Sequence, residues 1–433
     1  MKAEIIAIGS ELLIGDVINS NAAWISRELA ALGVDVHYHV TVGDNPARIQ
    51  GVIQQAIERS DLLIFTGGLG PTEDDLTMAT LAHFFQTPLI TDPESEQALR
   101  QWFMGRGLPL SDSNLKQAKK PQGAETIKNP VGTAPGVAWD VSDKTGRPTL
   151  LLTFPGVPKE LVGMWPQGAS WIRAKQRHLG EQAPVLQVRY LRFFGIGESS
   201  LGEALADLMS SANPTVAPYV GRAEVKIRIA AKADSVDAAE ALMAPVKAEI
   251  LKRCGDYYFG DDEATLEALA GQLLKASQLS VSVGESCTGG LLSSRLTDIA
   301  GSSAYTRLNV VTYANAEKTR LLGVSEDTLE RHGAVSPQVA AEMAQGILKF
   351  SGSHLGVSIT GIAGPDGGSE EKPVGLAYIG LARNQSVWVK KVLVNSRYSR
   401  QDIKHGVTQY ALSYLIQLLK GQLESDVFEA GNS

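Results

Sequence analysis

The chain has 433 residues, 44% of them apolar and 20% charged, which is the length for two or three cores and the composition of folded domains rather than of disorder. Its net charge of −7 argues against a nucleic-acid binder working through bulk electrostatics, because neutralising phosphates needs a basic face. Two cysteines, Cys254 and Cys287, exclude a disulfide framework and a cysteine-rich zinc site, and no apolar run approaches the ~20 residues that span a bilayer. With no signal-peptide pattern at the N-terminus, these features predict a cytoplasmic protein with no membrane partner.

Along the chain, Lys2 to Ile8 is strand-like and Asn21 to Leu32 amphipathic, with Gly33 as a helix stop. Val34 to Val42 is β-rich, Pro46 opens a helix to about Arg59, and Asp61 to Thr66 is the apolar run of a buried parallel strand. Strand and helix alternate as in a three-layer α/β domain. The texture changes between 168 and 255. There Val185 to Phe194 and Ala223 to Ala231 predict strands, and Ser199 to Met209 and Ser235 to Cys254 predict helices, together a small α+β module. A second α/β pattern starts near Asp262. It has helices at Ala264 to Ala276, Gly290 to Ile299 and Gln401 to Leu419, and strands at Leu279 to Val283, Arg307 to Tyr313, His354 to Thr360, Val374 to Ala382 and Val387 to Val394. The tail after Gly421 is expected to be loose.

In this last region Ser286 sits in GESCTGG, between a short apolar strand and a helix. Such a turn exposes a side chain at the carboxyl edge of a sheet and leaves backbone N–H groups beside it, ready for an oxyanion. A serine needs a base. None of the seven histidines is a persuasive partner, His332 being the one nearby in sequence, whereas Lys318 in VTYANAEK follows the next strand and would serve if desolvated. Tyr313 would relay a proton or orient the lysine. Cys287 is a rival nucleophile, and residue chemistry alone does not separate it from Ser286. Read as structure only, Ser286 is a helix cap, Lys318 a surface lysine and Cys287 a small buried residue. A second glycine-rich loop, Ser358 to Gly375, places Gly361, Gly364, Gly367 and Gly368 where a backbone wraps a phosphate.

Near the N-terminus, TGGLGPTEDDLT puts glycines after a buried strand and acids before a helix, a phosphate cradle beside carboxylates that suit a divalent cation. The structural alternative is that Asp74 or Asp75 caps the helix. GSELLIGDVINSN, NPVGTAPG and FPGVPKE lie at predicted strand ends, consistent with one shared crevice. No Nudix-type glutamate box and no P-loop lysine motif is present.

GESCTGGLL, DIAGSSAY, VTYANAEK, HGAVSPQVAAEMA and ITGIAGPDGGSEEKPVG together resemble the CinA C-terminal family, the nicotinamide mononucleotide deamidases, over residues 262–421. The resemblance implies hydrolysis of nicotinamide mononucleotide to nicotinic acid mononucleotide and ammonia without a cofactor. Ser286 would be nucleophile, Lys318 base and Tyr313 helper, with Thr288, Gly289, Gly290 and Asn315 at the substrate. Residues 1–168 resemble the molybdopterin-binding-like N-terminal domain of the same family, and 169–258 its KH-type region, which here lacks a GxxG loop, so RNA binding does not follow. That resemblance implies a metal-dependent ADP-ribose pyrophosphatase and a homodimer. Gly67, Gly68, Gly70 and Thr72 fall on its phosphate motif, and Asp74, Asp75, Glu11 and Glu160 are candidate ligands for a divalent metal. The alternatives are an amidase for another small amide, and a non-catalytic nucleotide-, molybdopterin- or partner-binding protein.

Overall fold

The computed structural model describes residues 1–142, 146–178 and 184–423, so most of the expected loose tail lies outside the described residues. The chain forms two compact units, Met1–Val188 with Ala230–Ala244, and Arg189–Ile229 with Pro245–Ser433. Among the described residues no helix is long and apolar enough to cross a membrane.

The first unit is built on a six-stranded sheet in the order Asp35–Val42, Lys2–Ile8, Leu62–Thr66, Pro148–Phe154, Gly136–Ser142, Glu125–Ile127. The first four strands are parallel and the last two antiparallel. Alternate residues of one strand enter different cores. Ile5 packs with Ile25, Leu29 and Trp165, while its neighbour Ile6 packs with Ile49, Ile53 and Phe65. Both faces are therefore covered, which is why these strands read as continuous apolar runs. Helix Pro46–Arg59 shows the local logic: the Asn45 side chain caps it, Pro46 stands at its first turn, and Ile49, Ile53, Ala56 and Ile57 form the buried stripe.

The α+β module holds a four-stranded sheet in the order Thr215–Gly221, Glu224–Ala233, Val185–Phe193, Tyr258–Asp261. Its expected helix over 199–209 is two short ones, Glu198–Ala204 and Ala206–Met209, because Leu205 leaves helical geometry between them.

In the C-terminal region the sheet runs Thr306–Val311, Val281–Glu285, Leu355–Gly361, Leu376–Arg383, Ser386–Leu393. The first three strands are parallel and the last two antiparallel. Helices Leu266–Ala276, Leu291–Thr297 and Arg400–Lys420 cover one face through one large core. Asn315–Leu322 and Pro337–Ser351 contribute to separate, smaller clusters with Val324, Ala382 and Val387. The parallel register brings the ends of Val281–Glu285 and Thr306–Val311 to the same edge, as the sequence predicts for Ser286 and the segment that carries Lys318.

Candidate active site

Ser286 follows directly on strand Val281–Glu285, and its N–H donates to the Ile359 carbonyl at 3.0 Å, so the neighbouring strand fixes its backbone. The turn after it uses two left-handed glycines in succession, Gly289 at φ 63° and Gly290 at φ 92°, a conformation that side chains with a Cβ resist. Buried Glu285 locks the far side of this turn. Its carboxylate accepts from the N–H groups of Gly290, Leu292 and Ser293 at 2.9–3.1 Å and from the Ser293 hydroxyl. It thus caps helix Leu291–Thr297, and the amides of that first turn are not open to a ligand. Gly289 N–H is also occupied, by the Ser286 carbonyl. Among the described residues the N–H groups of Cys287 and Thr288 have no internal acceptor, and the buried Thr288 hydroxyl has no hydrogen-bond partner.

Lys318, on helix Asn315–Leu322, is 1% exposed. Its Nζ lies 3.1 Å from Ser286 Oγ, 2.9 Å from the Thr312 carbonyl and 3.2 Å from the Tyr313 carbonyl. No carboxylate pairs with it among the described residues. Burial lowers its pKa from the ordinary lysine value, the nearby Cys287 thiol opposing in part. A neutral lysine in this geometry donates two N–H bonds to the two carbonyls and turns its lone pair to the serine hydroxyl.

Cys287 points away from that chemistry, into the core with Ile403 and Val407. Burial, reinforced by the Glu285 charge, pushes its thiol up to about 12. Tyr313 exposes 61% of its surface, and its hydroxyl accepts from Arg400 Nη2 at 2.9 Å; only its backbone carbonyl meets Lys318. Arg400 opens the last helix and also donates to the Gly364 carbonyl. It therefore ties the second glycine loop to the Tyr313 segment.

Within the first unit a cavity of about 510 Å³ opens over the carboxyl ends of the parallel strands. Gly67, Gly68, Gly70, Thr72, Asp74, Asp75, Glu11 and Glu160 all line it, with contributions from the three loops expected to share a crevice. Asn21 stitches these loops, donating to Thr66 Oγ1 and the Gly156 carbonyl. Thr77 closes the glycine turn by donating to the Gly67 carbonyl at 2.8 Å. Gln117, nearly buried in the cavity wall, donates to Leu69 and leaves its amide oxygen without a partner among the described residues. Asp75 does not cap the following helix, whose N-cap is Leu76 with no side-chain bond. Its carboxylate instead accepts from Thr72 N–H at 2.9 Å and from the Thr72 hydroxyl. Glu160 is likewise held by Asn129 at 2.7 Å. No three His, Cys, Asp or Glu side chains converge among the described residues, so the acids do not fit a metal cage made by the protein alone.

Residues 4–171 match the probable molybdopterin binding domain, 188–260 the damage-inducible protein CinA KH domain, and 263–419 the CinA C-terminal domain. The CinA-like protein of Nostoc punctiforme is 48% identical over 382 residues, which cover 88% of this chain and 90% of that one. That of Trichodesmium erythraeum is 45% identical over 424 residues, covering 98% and 97%. The chain belongs to the CinA family. Among solved structures, the competence/damage inducible protein CihA from Agrobacterium tumefaciens is 43% identical, covers 36% of this chain and 95% of its own, and has a TM-score of 0.34.

In this CinA-family chain the residues picked from sequence fall into two groups. Ser286 and Lys318 are joined directly, and Gly361 ends the strand beside Ser286. Asn315, Gly367 and Gly368 are exposed, while Thr288 is fully buried, so only a rearranged turn would present its hydroxyl. Glu285, Arg400 and Gln117 escape the sequence reading. Glu285 carried a signal, a carboxylate placed just before a glycine turn and a helix, whereas Arg400 and Gln117 are brought in from distant segments that no local pattern marks.

Proposed function

We propose that the C-terminal domain hydrolyses the carboxamide of nicotinamide mononucleotide by serine–lysine acyl transfer. The observation that carries this reading is the 3.1 Å contact between a buried, carboxylate-free lysine and a serine at a sheet edge. Lys318 takes the Ser286 proton, and Ser286 Oγ attacks the carboxamide carbon. The oxyanion is met by the Cys287 N–H, which has no internal acceptor among the described residues, while the N–H of fully buried Thr288 joins it only if the turn rearranges. On collapse the C–N bond breaks and Lys318 returns the proton to the leaving ammonia. Water, deprotonated by Lys318, then cleaves the ester to nicotinic acid mononucleotide and restores Ser286. The Ser358 to Gly375 loop, fastened by Arg400, receives the 5′-phosphate. The residues supply every proton transfer, so the reaction needs no cofactor and chelator leaves it unchanged.

Ammonia release from nicotinamide mononucleotide, compared in chelator with nicotinamide, nicotinamide riboside and asparagine, tests the substrate. Preference for the mononucleotide is expected; equal or better turnover of an amide lacking the phosphate contradicts it.

A second reading concerns the N-terminal cavity, because eight residues chosen from sequence and an unpartnered Gln117 oxygen converge there. We propose that it takes ADP-ribose, its diphosphate over the glycine turn. Any divalent cation would be held jointly by Asp74 or Asp75 and the ligand's own oxygens. Metal-dependent AMP release from ADP-ribose tests the pyrophosphatase activity, and binding without release reduces the site to a receptor.

A further inference from the structure

The second unit contains another cavity, of about 710 Å³, that takes no part in the chemistry above. One wall is a single face of helix Arg400–Lys420: Tyr410, Ser413, Tyr414, Gln417 and Lys420 line it at helical spacing. Facing them are Phe194 and the Gly255–Phe259 segment, with Lys390 from strand Ser386–Leu393. The helix rises 1.5 Å per residue, so the cavity begins about 15 Å along the axis from Arg400 and extends to about 30 Å. It is a separate place from the serine.

The lining is chemically specific. Tyr410 meets Phe194 edge-on with ring centroids 4.9 Å apart, and Tyr414 follows at 6.1 Å from Tyr410. Tyr257 is 41% exposed, an aromatic ring kept at the surface where a core would have buried it. Lys390 and Lys420 have no ion-pair partner among the described residues, and Asp256 is the acidic residue in the lining. An exposed Tyr257 and the half-buried rings of Tyr410 and Tyr414, beside two ammonium groups without an ion-pair partner among the described residues, are the complement of a planar ring that carries negative charge. The volume lies within the ~300–1,000 Å³ of small-molecule sites.

We propose that this groove is a second ligand site for a mononucleotide, its base against the tyrosines and its phosphate on Lys390 and Lys420. It does not depend on the deamidase reading.

Calorimetric titration of AMP into the full chain tests it, beside Lys390→Glu/Lys420→Glu and Tyr414→Leu. Far-UV circular dichroism and the melting temperature verify folding without reference to any activity, and the lysine pair keeps the test open if Tyr414→Leu melts. A class of AMP sites that weakens at least tenfold in the charge-reversed variant, while ADP-ribose binding persists, is the expected result. An AMP isotherm identical in wild type and that variant overturns the proposal. So does inorganic phosphate binding the same sites as tightly as AMP, since the rings would then contribute nothing.

Discussion

At the residue scale the decisive fact is how differently burial treats Lys318 and Cys287. The same dry environment favours the neutral form of each, the form in which an amine accepts a proton and a thiol is a poor nucleophile. Lys318 must lose its proton to act, so kcat/KM is expected to rise with pH along a limb centred below the ordinary lysine pKa of 10.5. Lys318→Arg, which cannot deprotonate, is expected to lose about a thousandfold in kcat/KM at every pH. A residual limb in that variant would show that another group titrates. With its thiol near 12, Cys287 is about one part in ten thousand thiolate at pH 8. Iodoacetamide at that pH is therefore expected to leave Cys287 unmodified in the folded chain, as peptide mass mapping would report. Ser286 and Lys318 were legible in sequence because each sits at a strand end or just beyond, where order along the chain becomes adjacency in space. The side-chain role expected for Tyr313 was not legible, since its hydroxyl is drawn away by Arg400 from nearly ninety positions downstream.

Glu285 illustrates what one element contributes. Four donors converge on its carboxylate and hold the serine turn to helix Leu291–Thr297. Glu285→Ala leaves the buried Leu292 amide and the half-buried amides of Gly290 and Ser293 without their acceptor and is expected to cost about 3 kcal/mol, read as a lower denaturation midpoint with reduced activity. Unchanged stability would mean that water replaces the carboxylate. In the N-terminal turn, Gly67 stands at φ 101° with the Ile8 carbonyl where a Cβ would go. Gly67→Ala is accordingly expected to weaken ADP-ribose binding and lower the melting temperature together. Sequence periodicity found buried strands such as Leu62–Thr66 and capped helices such as Pro46–Arg59, but gave no bounds to the buried strands Gly136–Ser142 and Pro148–Phe154. Between Tyr313 and His354, where three helices lie, it placed only a helix end at His332 before Gly333, which is where helix Glu326–His332 stops, and it missed strand Thr215–Gly221, whose alternation is interrupted by Pro218.

Taken as a whole molecule, the chain repeats one device in two α/β sheets: glycine turns at the carboxyl ends of parallel strands, where backbone groups and ligands can approach closely. The two differ in the groups they gather, one turn holding a serine beside a buried lysine and the other holding carboxylates beside open loops. Family membership accounts for the arrangement of three matched domains, while activity rests on the sites. The most direct test is ammonia release from nicotinamide mononucleotide by wild type, Ser286→Ala and Cys287→Ala, measured side by side. Cys287→Ala is expected to stay within a few-fold of wild type and Ser286→Ala to lose at least roughly a thousandfold. Activity that survives in Ser286→Ala and vanishes in Cys287→Ala would contradict the serine–lysine mechanism.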